Sequence, residues 1–551
     1  MSGWNAFEVD REFVVANFKK GFFDYVEAAC HVTETQFFRW LIGKRLLDRL
    51  AATYPSPRHK EEVPLWLYLS SELTLRLHGA TGFSALPYIL HCGGLKDALG
   101  PEQATMVKDA QTDEYHLRFQ GYNNKNVYPR ITPCDQDFVR KLARDTPATE
   151  LEYWFGQTLP DVYHRMHTFD SEGIFLIDGS YLFVPDNEHY ENSSIMRFDE
   201  HNHPLSEQDY EALSVPEKRR CAFRRCYRTV TLLHTNRTKS YYLYCGLRVF
   251  KGKGAETPHM RPLVDSFVKS VGKGKMKWMI FDRGFIDGET IAYLKTQHQI
   301  NSVFPLKRTM NLYDEAKRLA AIDPNPPVVW RPPIKVPPSL EDKPAVIRKR
   351  ELARRKKLEE KKAQAESVAP KVTVKEVRLR LIPGIKIWDS CPLPMQIVLL
   401  EEHLTDGSCS EWALATTAAL TDPLELWHLY QVRPAIEERH RQLKCFWDLT
   451  SFRSTSFALV VNQVAFILLA YSLMQIFLLK IDKEELTTAT RERLLERLLP
   501  MGRKVFLYYQ NRVGTLSPLE HQHLVLTLDE GPRRRILGKT KSLLKAELGL
   551  E

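Results

Sequence analysis

The sequence predicts an α/β protein in which a mixed sheet is flanked by helices. Residues 174–177 (IFLI) and 277–281 (KWMIF) have the composition of buried strands, and an aspartate directly follows each run. Residues 225–234 and 241–250 are rich in aromatic and β-branched side chains and predict an antiparallel pair of strands. Helical periodicity in residues 261–271 completes an alternation of strands and helices that is typical of this fold class.

The composition indicates a basic protein of several domains. A chain of 551 residues exceeds what one compact core accommodates, so we expect about two to four domains. Hydrophobic residues make up 43% and charged residues 26% of the chain, as in ordinary globular proteins. The net charge of +10 and the pI near 9.0 indicate a polyanionic partner, nucleic acid before a membrane surface.

The N-terminal segment and the cysteines predict a cytoplasmic protein. The segment MSGWNAFEVDREFVV has acidic residues where a secretion signal needs an apolar core, so we expect no export. The nine cysteines are an odd, scattered set, which fits reduced thiols. The most apolar stretch, residues 457–479, contains several polar side chains. It therefore predicts a buried core helix and no membrane partner.

The two ends of the chain predict separate helical regions. Residues 13–25, 34–50 and 65–77 carry apolar residues at helical spacing with basic side chains between them. Residues 1–165 are therefore interpreted as a helical DNA-binding domain. Residues 486–551 end in a basic tail and are expected to form a basic C-terminal helical region.

Between these ends, the order of elements predicts a catalytic core in two parts. Residues 166–308 contain a strand with Asp178, two antiparallel strands, a helix, a strand with Asp282, a helix and a further strand. Residues 421–485 add a helix that carries Glu437. This is the element order of a ribonuclease H-like core, whose central strands place carboxylates side by side.

Residues 309–420 interrupt that core. Strand-like alternation in residues 372–381 and 395–400 predicts a β-rich insertion. Within it, residues 348–362 (RKRELARRKKLEEKK) hold nine lysines or arginines in fifteen positions. We interpret this segment as a basic arm that contacts phosphates, and a solvated charged helix is the alternative.

The helix in the second part of the core has a polar pattern, Y-x2-R-x3-E-x6-K, in residues 430–444 (YQVRPAIEERHRQLK). Pro434 predicts the first position of a helix. Arg433 precedes this proline and is therefore expected to leave the helical region of backbone angles.

One face of this helix is expected to carry Glu437, His440, Arg441 and Lys444, which follow one another at helical spacing. On such a face the carboxylate can hold a metal ion while the basic side chains hold a phosphate. An exposed helix with Glu/Arg pairs is the alternative interpretation.

The three acids Asp178, Asp282 and Glu437 predict a metal centre. Close carboxylates repel one another unless a cation lies between them, so such a trio suits Mg²⁺ or Mn²⁺. Two ions about 3.5–4 Å apart activate a water or a 3′-hydroxyl and stabilise the leaving oxygen of a phosphoryl transfer. For each aspartate alone, in D-G-S or D-R-G, the alternative is a turn former.

Three motifs resemble the catalytic boxes of the DDE transposases: residues 177–180 (IDGS), residues 281–285 (FDRGF) and the pattern in residues 430–444. They are similar in particular to the large bacterial insertion-sequence family that is defined by a YREK signature (insertion-sequence-four type). The similarity covers about residues 170–480. It implies that Asp178, Asp282 and Glu437 are the catalytic residues and bind two Mg²⁺ or Mn²⁺ ions.

The same resemblance implies contacts with DNA. The side chains expected to hold phosphates or flank the catalytic acids are Tyr430, Arg433, Lys444, Arg441 and Arg283. Family members that cleave through a hairpin stack a flipped base on a tryptophan of the insertion. Trp330 and Trp388 lie in that region, and core packing is the alternative role for both.

The resemblance implies an enzyme that cuts DNA at the terminal inverted repeats of its insertion sequence and joins the 3′-hydroxyl ends to target DNA. Its partners would be double-stranded DNA of the transposon ends and target, and a second copy of the chain in the end-paired complex. We expect a bacterial, nucleoid-associated protein. Two alternatives stay open: a ribonuclease H-like nuclease that cuts without joining, and a DNA-binding protein derived from a transposase.

Overall fold

The structure is a computed structural model that describes residues 8–29, 31–59, 63–86, 89–90, 94–99, 104–108, 115–119, 135–238, 241–332, 372–489, 504–510 and 512–548. The chain divides into two compact units. The first unit comprises Met1–Met279 with Arg433–Glu551, and the second comprises Ile280–Val432. Both units contain helices and β-strands, so the predicted α/β class is confirmed.

The α-helices of the described residues are, in chain order, α1 (Arg11–Lys19), α2 (His31–Gly43), α3 (Leu46–Thr53), α4 (Leu65–Leu77), α5 (Gly94–Leu99), α6 (Gln136–Asp145), α7 (Ala148–Arg165), α8 (Glu207–Ala212), α9 (Val215–Lys218), α10 (Met260–Val271), α11 (Gly288–His298), α12 (Asn311–Ile322), α13 (Pro423–Tyr430), α14 (Pro434–Phe446), α15 (Phe457–Lys480), α16 (Pro518–Thr527) and α17 (Glu530–Leu548).

The strands are β1 (Glu8–Val9), β2 (Tyr25–Ala29), β3 (Ala104–Lys108), β4 (Tyr115–Phe119), β5 (Ile174–Val184), β6 (Ser194–Phe198), β7 (Ala222–Thr235), β8 (Leu243–Lys251), β9 (Trp278–Ile280), β10 (Asn301–Pro305), β11 (Val328–Trp330), β12 (Val374–Ile385), β13 (Met395–Leu404), β14 (Cys409–Thr416), β15 (Lys504–Tyr509) and β16 (Arg512–Leu516).

Both ends of the chain meet in one small sheet of the first unit. The strand order is β1-β16-β15-β2, with β1 parallel to β16 and the other pairs antiparallel. Helix α1 packs on this sheet through Val14 and Phe18, which are fully buried beside Val505 and Leu507 of β15. The prediction of a helical C-terminal region is therefore wrong for β15 and β16, because their apolar residues alternate and pack against the opposite end of the chain.

The N-terminal 165 residues are mostly helical in the described part, with strands β1 to β4 in addition. The helix predicted over residues 13–25 ends at Lys19. Gly21 then adopts a φ of 83°, which a glycine reaches without steric cost, and the chain turns into β2. The early end of this helix thus follows from one glycine.

Helix α15 is the core of the helical layer of the first unit. It is long and apolar enough to cross a membrane, yet 89% of its most apolar 18-residue window is buried inside the protein. Its polar side chains have partners there: the Asn462 amide donates to the Tyr68 hydroxyl at 3.0 Å, and the Gln475 amide donates to the Thr487 carbonyl at 2.7 Å. The predicted core helix is therefore confirmed.

The main sheet of the first unit is built around β7. Strand β5 pairs with one edge of β7, and β6 and β8 pair with the other, all antiparallel. The amides of Lys277 and Trp278 donate to the Gly173 carbonyl, which places β9 beside the start of β5. The predicted pair of strands at residues 225–234 and 241–250 is confirmed as β7 and β8.

Strand β5 is longer than its apolar run predicts. It continues through Asp178 and Gly179 to Val184, because residues 181–184 (YLFV) keep pairing with β7 down to Arg225. Asp178 therefore lies inside a strand, and the prediction that it ends a strand is wrong. The alternative role as a turn former is also wrong for Asp178.

The second unit contains an antiparallel sheet of order β11-β12-β13-β14-β10. The strand-like runs at residues 372–381 and 395–400 are found as the longer strands β12 and β13. The unit begins before the predicted insertion, because β10 pairs with β14 and joins its sheet. The proposed basic arm, residues 348–362, lies outside the described residues.

Candidate active site

The candidate site of the first unit lies on one face of β5 and β7. Asp178 is directly opposite Thr231 in the antiparallel register, and side chains in such a pair point to the same face. Ser180 lies two residues along β5 and shares that face. Asp178 is buried, with 10% of its side chain exposed. The strand thus presents a carboxylate and a hydroxyl side by side.

Helix α14 covers this face and contributes two polar side chains to it. The Nε2 atom of His440 lies 2.9 Å from the Thr231 hydroxyl, and its Nδ1 atom lies 3.7 Å from Asp178 Oδ2. One turn further on, the Lys444 amine donates to the Ser180 hydroxyl at 2.6 Å. These contacts fix the helix against the two strands beside the Asp178 carboxylate.

The predicted start of α14 at Pro434 is confirmed, whereas the expectation for Arg433 is wrong. Arg433 keeps helical backbone angles, φ −56° and ψ −43°. Its Nη1 atom donates to Glu437 Oε1 at 2.7 Å, one helical turn ahead. This charge-assisted contact stabilises a backbone conformation that the residue before a proline ordinarily avoids.

The guanidinium of Arg433 lies between two of the predicted catalytic carboxylates. Besides its contact with Glu437, its Nη2 atom is 3.9 Å from Asp178 Oδ1. Only 17% of the Arg433 side chain is exposed, while 54% of the Glu437 side chain is exposed. Asp178 and Glu437 therefore converge on one positive group, with Glu437 on the solvent side.

The prediction that Arg441 shares one face of α14 with Glu437, His440 and Lys444 is wrong. The helix buries the side that carries Ile436, His440 and Leu443. Arg441 projects away from that side, and its Nε and Nη2 atoms donate to the Glu438 carboxylate at 2.7 Å. Arg441 is thus an exposed partner of Glu438.

Burial changes the pKa of both basic groups that face the strands. It lowers the pKa of His440 to about 3, with a smaller contribution from the Lys444 charge. Burial also lowers the pKa of Lys444 to about 8, and the Asp178 carboxylate opposes this shift. His440 is therefore neutral at pH 7, and Lys444 is the cation of this pair.

The remaining predicted catalytic acid, Asp282, belongs to the second unit. It follows β9 and caps a short 3-10 turn, where its Oδ1 atom accepts a hydrogen bond from the Gly284 amide at 2.8 Å. Arg283 in the same turn is exposed. The turn-former role is therefore present at Asp282, and its carboxylate is half-buried.

The aromatic residues predicted to contact DNA lie in the second unit and pack against other rings. The Tyr430 ring is 5.6 Å from Trp412, and the Trp330 ring is 5.5 Å from Trp427. The Trp388 ring is 6.2 Å from Phe304. Trp330 and Trp388 are both half-buried and pack against these rings, and their role in base stacking stays a prediction.

Carboxylate oxygens are the ligands that Mg²⁺ and Mn²⁺ prefer, and Asp178 and Glu437 offer two such groups around one cation. In this respect the residues of the first unit fit a divalent ion. No group of three or more His, Cys, Asp or Glu side chains within the described residues is arranged to hold a metal ion.

Sequence reasoning missed Ser180 and Thr231 as members of the site. Ser180 ends the IDGS motif, which assigns it no role, and Thr231 is an ordinary strand residue outside any motif. The signal that finds them is the register of β5 with β7, since it places Thr231 opposite Asp178 and Ser180 on the same face. That register depends on pairing between distant segments and cannot be obtained from residue spacing.

Comparison with known families identifies the domain in which these residues lie. The model of the transposase DDE domain matches residues 172–473, a range that contains Asp178, Asp282 and the whole of α14. No curated protein matches the chain. Because the match covers more than half of the 551 residues, the chain belongs to the family of transposases with a DDE domain.

Proposed function

We propose that the protein cuts DNA at the terminal inverted repeats of its insertion sequence and joins the 3′-hydroxyl ends to target DNA by metal-dependent phosphoryl transfer. The observation that carries this proposal is the convergence of Asp178 and Glu437 on the Arg433 guanidinium. Two carboxylates that approach one cation can supply oxygen ligands to a divalent ion in its place. The Y-x2-R-x3-E-x6-K spacing supports assignment to the YREK subgroup within the DDE family.

Asp178, Glu437 and, by the family pattern, Asp282 would hold the Mg²⁺ or Mn²⁺ ions. When bound, such ions make a water or a 3′-hydroxyl more acidic and stabilise charge on the leaving oxygen. Asp178 is positioned for this role by its strand, and the neutral His440 ring lies beside it. Glu437 is exposed enough to adjust to a bound ion.

Arg433 and Lys444 are suited to the phosphates of the scissile strand. The Arg433 guanidinium offers a planar fork of donors, and a divalent ion between the carboxylates would leave that fork for a phosphate. The Lys444 amine has three donors and gives one of them to Ser180. Both cations thus lie beside the proposed metal ligands, where they can align the DNA strand.

Tyr430, Arg283 and Arg441 are proposed as further contacts with DNA. Arg283 and Arg441 are exposed, and the Glu438 partner of Arg441 can be exchanged for a phosphate. Base stacking by Trp330 or Trp388 stays a prediction, as do the homodimer in the end-paired complex and the cytoplasmic location.

Single substitutions of the three acids test the metal role. We expect Asp178→Asn, Asp282→Asn and Glu437→Gln each to abolish nicking of DNA that contains the element's end, with Mn²⁺ or Mg²⁺ present. Binding of the same DNA should persist, because these groups hold the metal. Glu438→Gln is the matched control, since Glu438 pairs with Arg441 on the exposed side. Nicking by any acid variant at more than about one hundredth of the wild-type rate would exclude that residue.

Strand transfer separates the proposed function from a nuclease that only cuts. A duplex with a pre-cut 3′ end is incubated with supercoiled plasmid, the full-length protein and Mn²⁺. Covalent joining of the labelled end to the plasmid is the expected result. Plasmid nicking without joined product would favour the nuclease.

A further inference from the structure

The module in which the two chain ends meet carries a basic surface outside the residues that match the transposase DDE domain. Its core is formed by α1, β15 and α17 through Phe18, Leu507 and Ile536, all fully buried. The family match ends at residue 473 and begins at residue 172, so this module is an addition to the catalytic region. Its function is not explained by the candidate active site.

The turn between α1 and β2 brings α17 against Phe22 and Phe23. A Cβ atom on Gly21 would lie 3.1 Å from Arg535 Nε and 3.3 Å from the Cα atom of Pro532, so the two segments are in direct contact. The Arg535 guanidinium lies 5.5 Å from the centre of the Phe22 ring, and 47% of Phe22 is exposed. An exposed aromatic ring is thus overlaid by an arginine.

Lys539 extends the same surface by one helical turn. Its amine lies 4.5 Å from the centre of the Phe23 ring and donates to the Phe23 carbonyl. Phe23 itself is buried against Phe18, so Lys539 is anchored to the module core. Arg535 and Lys539 are therefore positioned by aromatic rings and, for Lys539, also by the Phe23 carbonyl.

Two further cations adjoin the turn. Lys19 ends α1 and Lys20 follows it; both are exposed and come immediately before Gly21 in the chain. Among the described side chains, no carboxylate lies within ion-pair distance of Lys19, Lys20, Arg535 or Lys539. By contrast, the exposed Arg534 of α17 is paired with Glu530 at 2.7 Å. The turn thus concentrates positive charge that the described part of the chain does not neutralise.

We propose that the surface formed by Lys19, Lys20, Phe22, Arg535 and Lys539, named the terminal basic surface, binds the phosphate backbone of duplex DNA. This inference rests on the proposed function, which makes DNA the substrate. Duplex DNA carries a dense row of negative charges, and clustered lysines and arginines bind it by releasing its counterions. The surface would hold DNA independently of the metal ligands.

The test compares two full-length triple variants that each remove three positive charges. The surface variant combines Lys19→Gln, Lys20→Gln and Arg535→Gln. The control variant replaces three exposed arginines that pair with a carboxylate of their own helix or its cap: Arg45→Gln, Arg165→Gln and Arg318→Gln. Fluorescence anisotropy measures binding of a labelled duplex of about 30 base pairs at salt concentrations from about 50 to 300 mM.

For the surface variant we expect the slope of log K against log salt to decrease by about 2 to 3, and affinity near 150 mM salt to fall at least about tenfold. The control variant should stay within about twofold of the wild type, because its arginines are already neutralised. A variant with Lys19→Arg, Lys20→Arg and Arg535→Lys keeps the charge and should keep the affinity.

Equal DNA binding by the surface and control variants would overturn the proposal. Loss of binding by the charge-keeping variant would also overturn it, since charge would not be the cause. Nicking at saturating protein distinguishes this inference from the proposed function. The surface variant should nick DNA there at the wild-type rate, whereas a wrong active site would show as nicking by Asp178→Asn.

Discussion

The two sides of helix α14 carry similar polar residues in opposite settings. On the inner side, His440 and Lys444 each contact a strand residue of the site, and burial lowers the pKa of both. On the outer side, Glu438 and Arg441 form a pair that is exposed to solvent. Exposed ion pairs contribute little to stability, whereas buried polar groups depend on their partners. The inner side should therefore control both cleavage and stability.

Apart from the three catalytic acids, the largest effect is expected from Lys444→Ala. Loss of its amine removes the Ser180 contact and a cation beside Asp178, so the scissile strand would lose its alignment. A misplacement of about 1 Å can cost on the order of a hundredfold in rate, and we expect a decrease of about that size in single-turnover nicking. Nicking at the wild-type rate would remove Lys444 from the site.

The next effect concerns pH and the buried His440. Its pKa is about 3 in the folded protein and returns to about 6.5 on unfolding, so only the unfolded chain takes up a proton between these values. This contribution to stability is complete above pH 6.5 and is lost as the pH falls toward 3. Urea unfolding at pH 7 and pH 5 measures the free energy of unfolding. Between these pH values it should fall by roughly 1–2 kcal/mol more in the wild type than in His440→Gln. Parallel losses in the two proteins would contradict this assignment.

A smaller effect is expected for metal affinity in Arg433→Ala. The guanidinium competes with a divalent ion for Asp178 and Glu437, so its removal should tighten Mn²⁺ binding in the absence of DNA. We expect a change of about threefold to tenfold by calorimetry, together with slower nicking. Arg441→Ala is the control and should leave the Mn²⁺ affinity unchanged. Weaker Mn²⁺ binding by Arg433→Ala would show that the arginine does not compete.

The smallest effect is expected from Arg441→Ala on the outer side. Its pair with Glu438 is exposed and is worth at most about 1 kcal/mol. Thermal unfolding should therefore change little. Nicking at saturating DNA should stay within about twofold of the wild type, because a contact of Arg441 with DNA would contribute to binding and not to alignment of the scissile strand. A loss of nicking as large as that of Lys444→Ala would make the two sides of α14 equivalent and would end the comparison.

Elements with strong local patterns were predictable from the sequence. Apolar periodicity and a proline act over a few residues. They predict the starts of β5 and α14, the pair β7 and β8, and the buried α15. The continuation of β5 through Asp178 was not predictable, because it depends on pairing with β7. The sheet that joins β15 to β2 was missed for the same reason, since its partners lie at opposite ends of the chain.

The sequence by itself determined which acids and bases are available for chemistry. Two sequence features predict the transposase DDE domain that the family match identifies. They are the spacing of Arg433, Glu437 and Lys444 along one helix and the aspartates that follow two apolar runs. Only the tertiary structure decided that Arg433 lies between Asp178 and Glu437 and that His440 faces Thr231. It also decided that Arg441 lies on the exposed side of α14. Helical spacing identifies neighbours within α14. Which of its sides is buried depends on long-range packing against β5 and β7, which residue spacing does not encode.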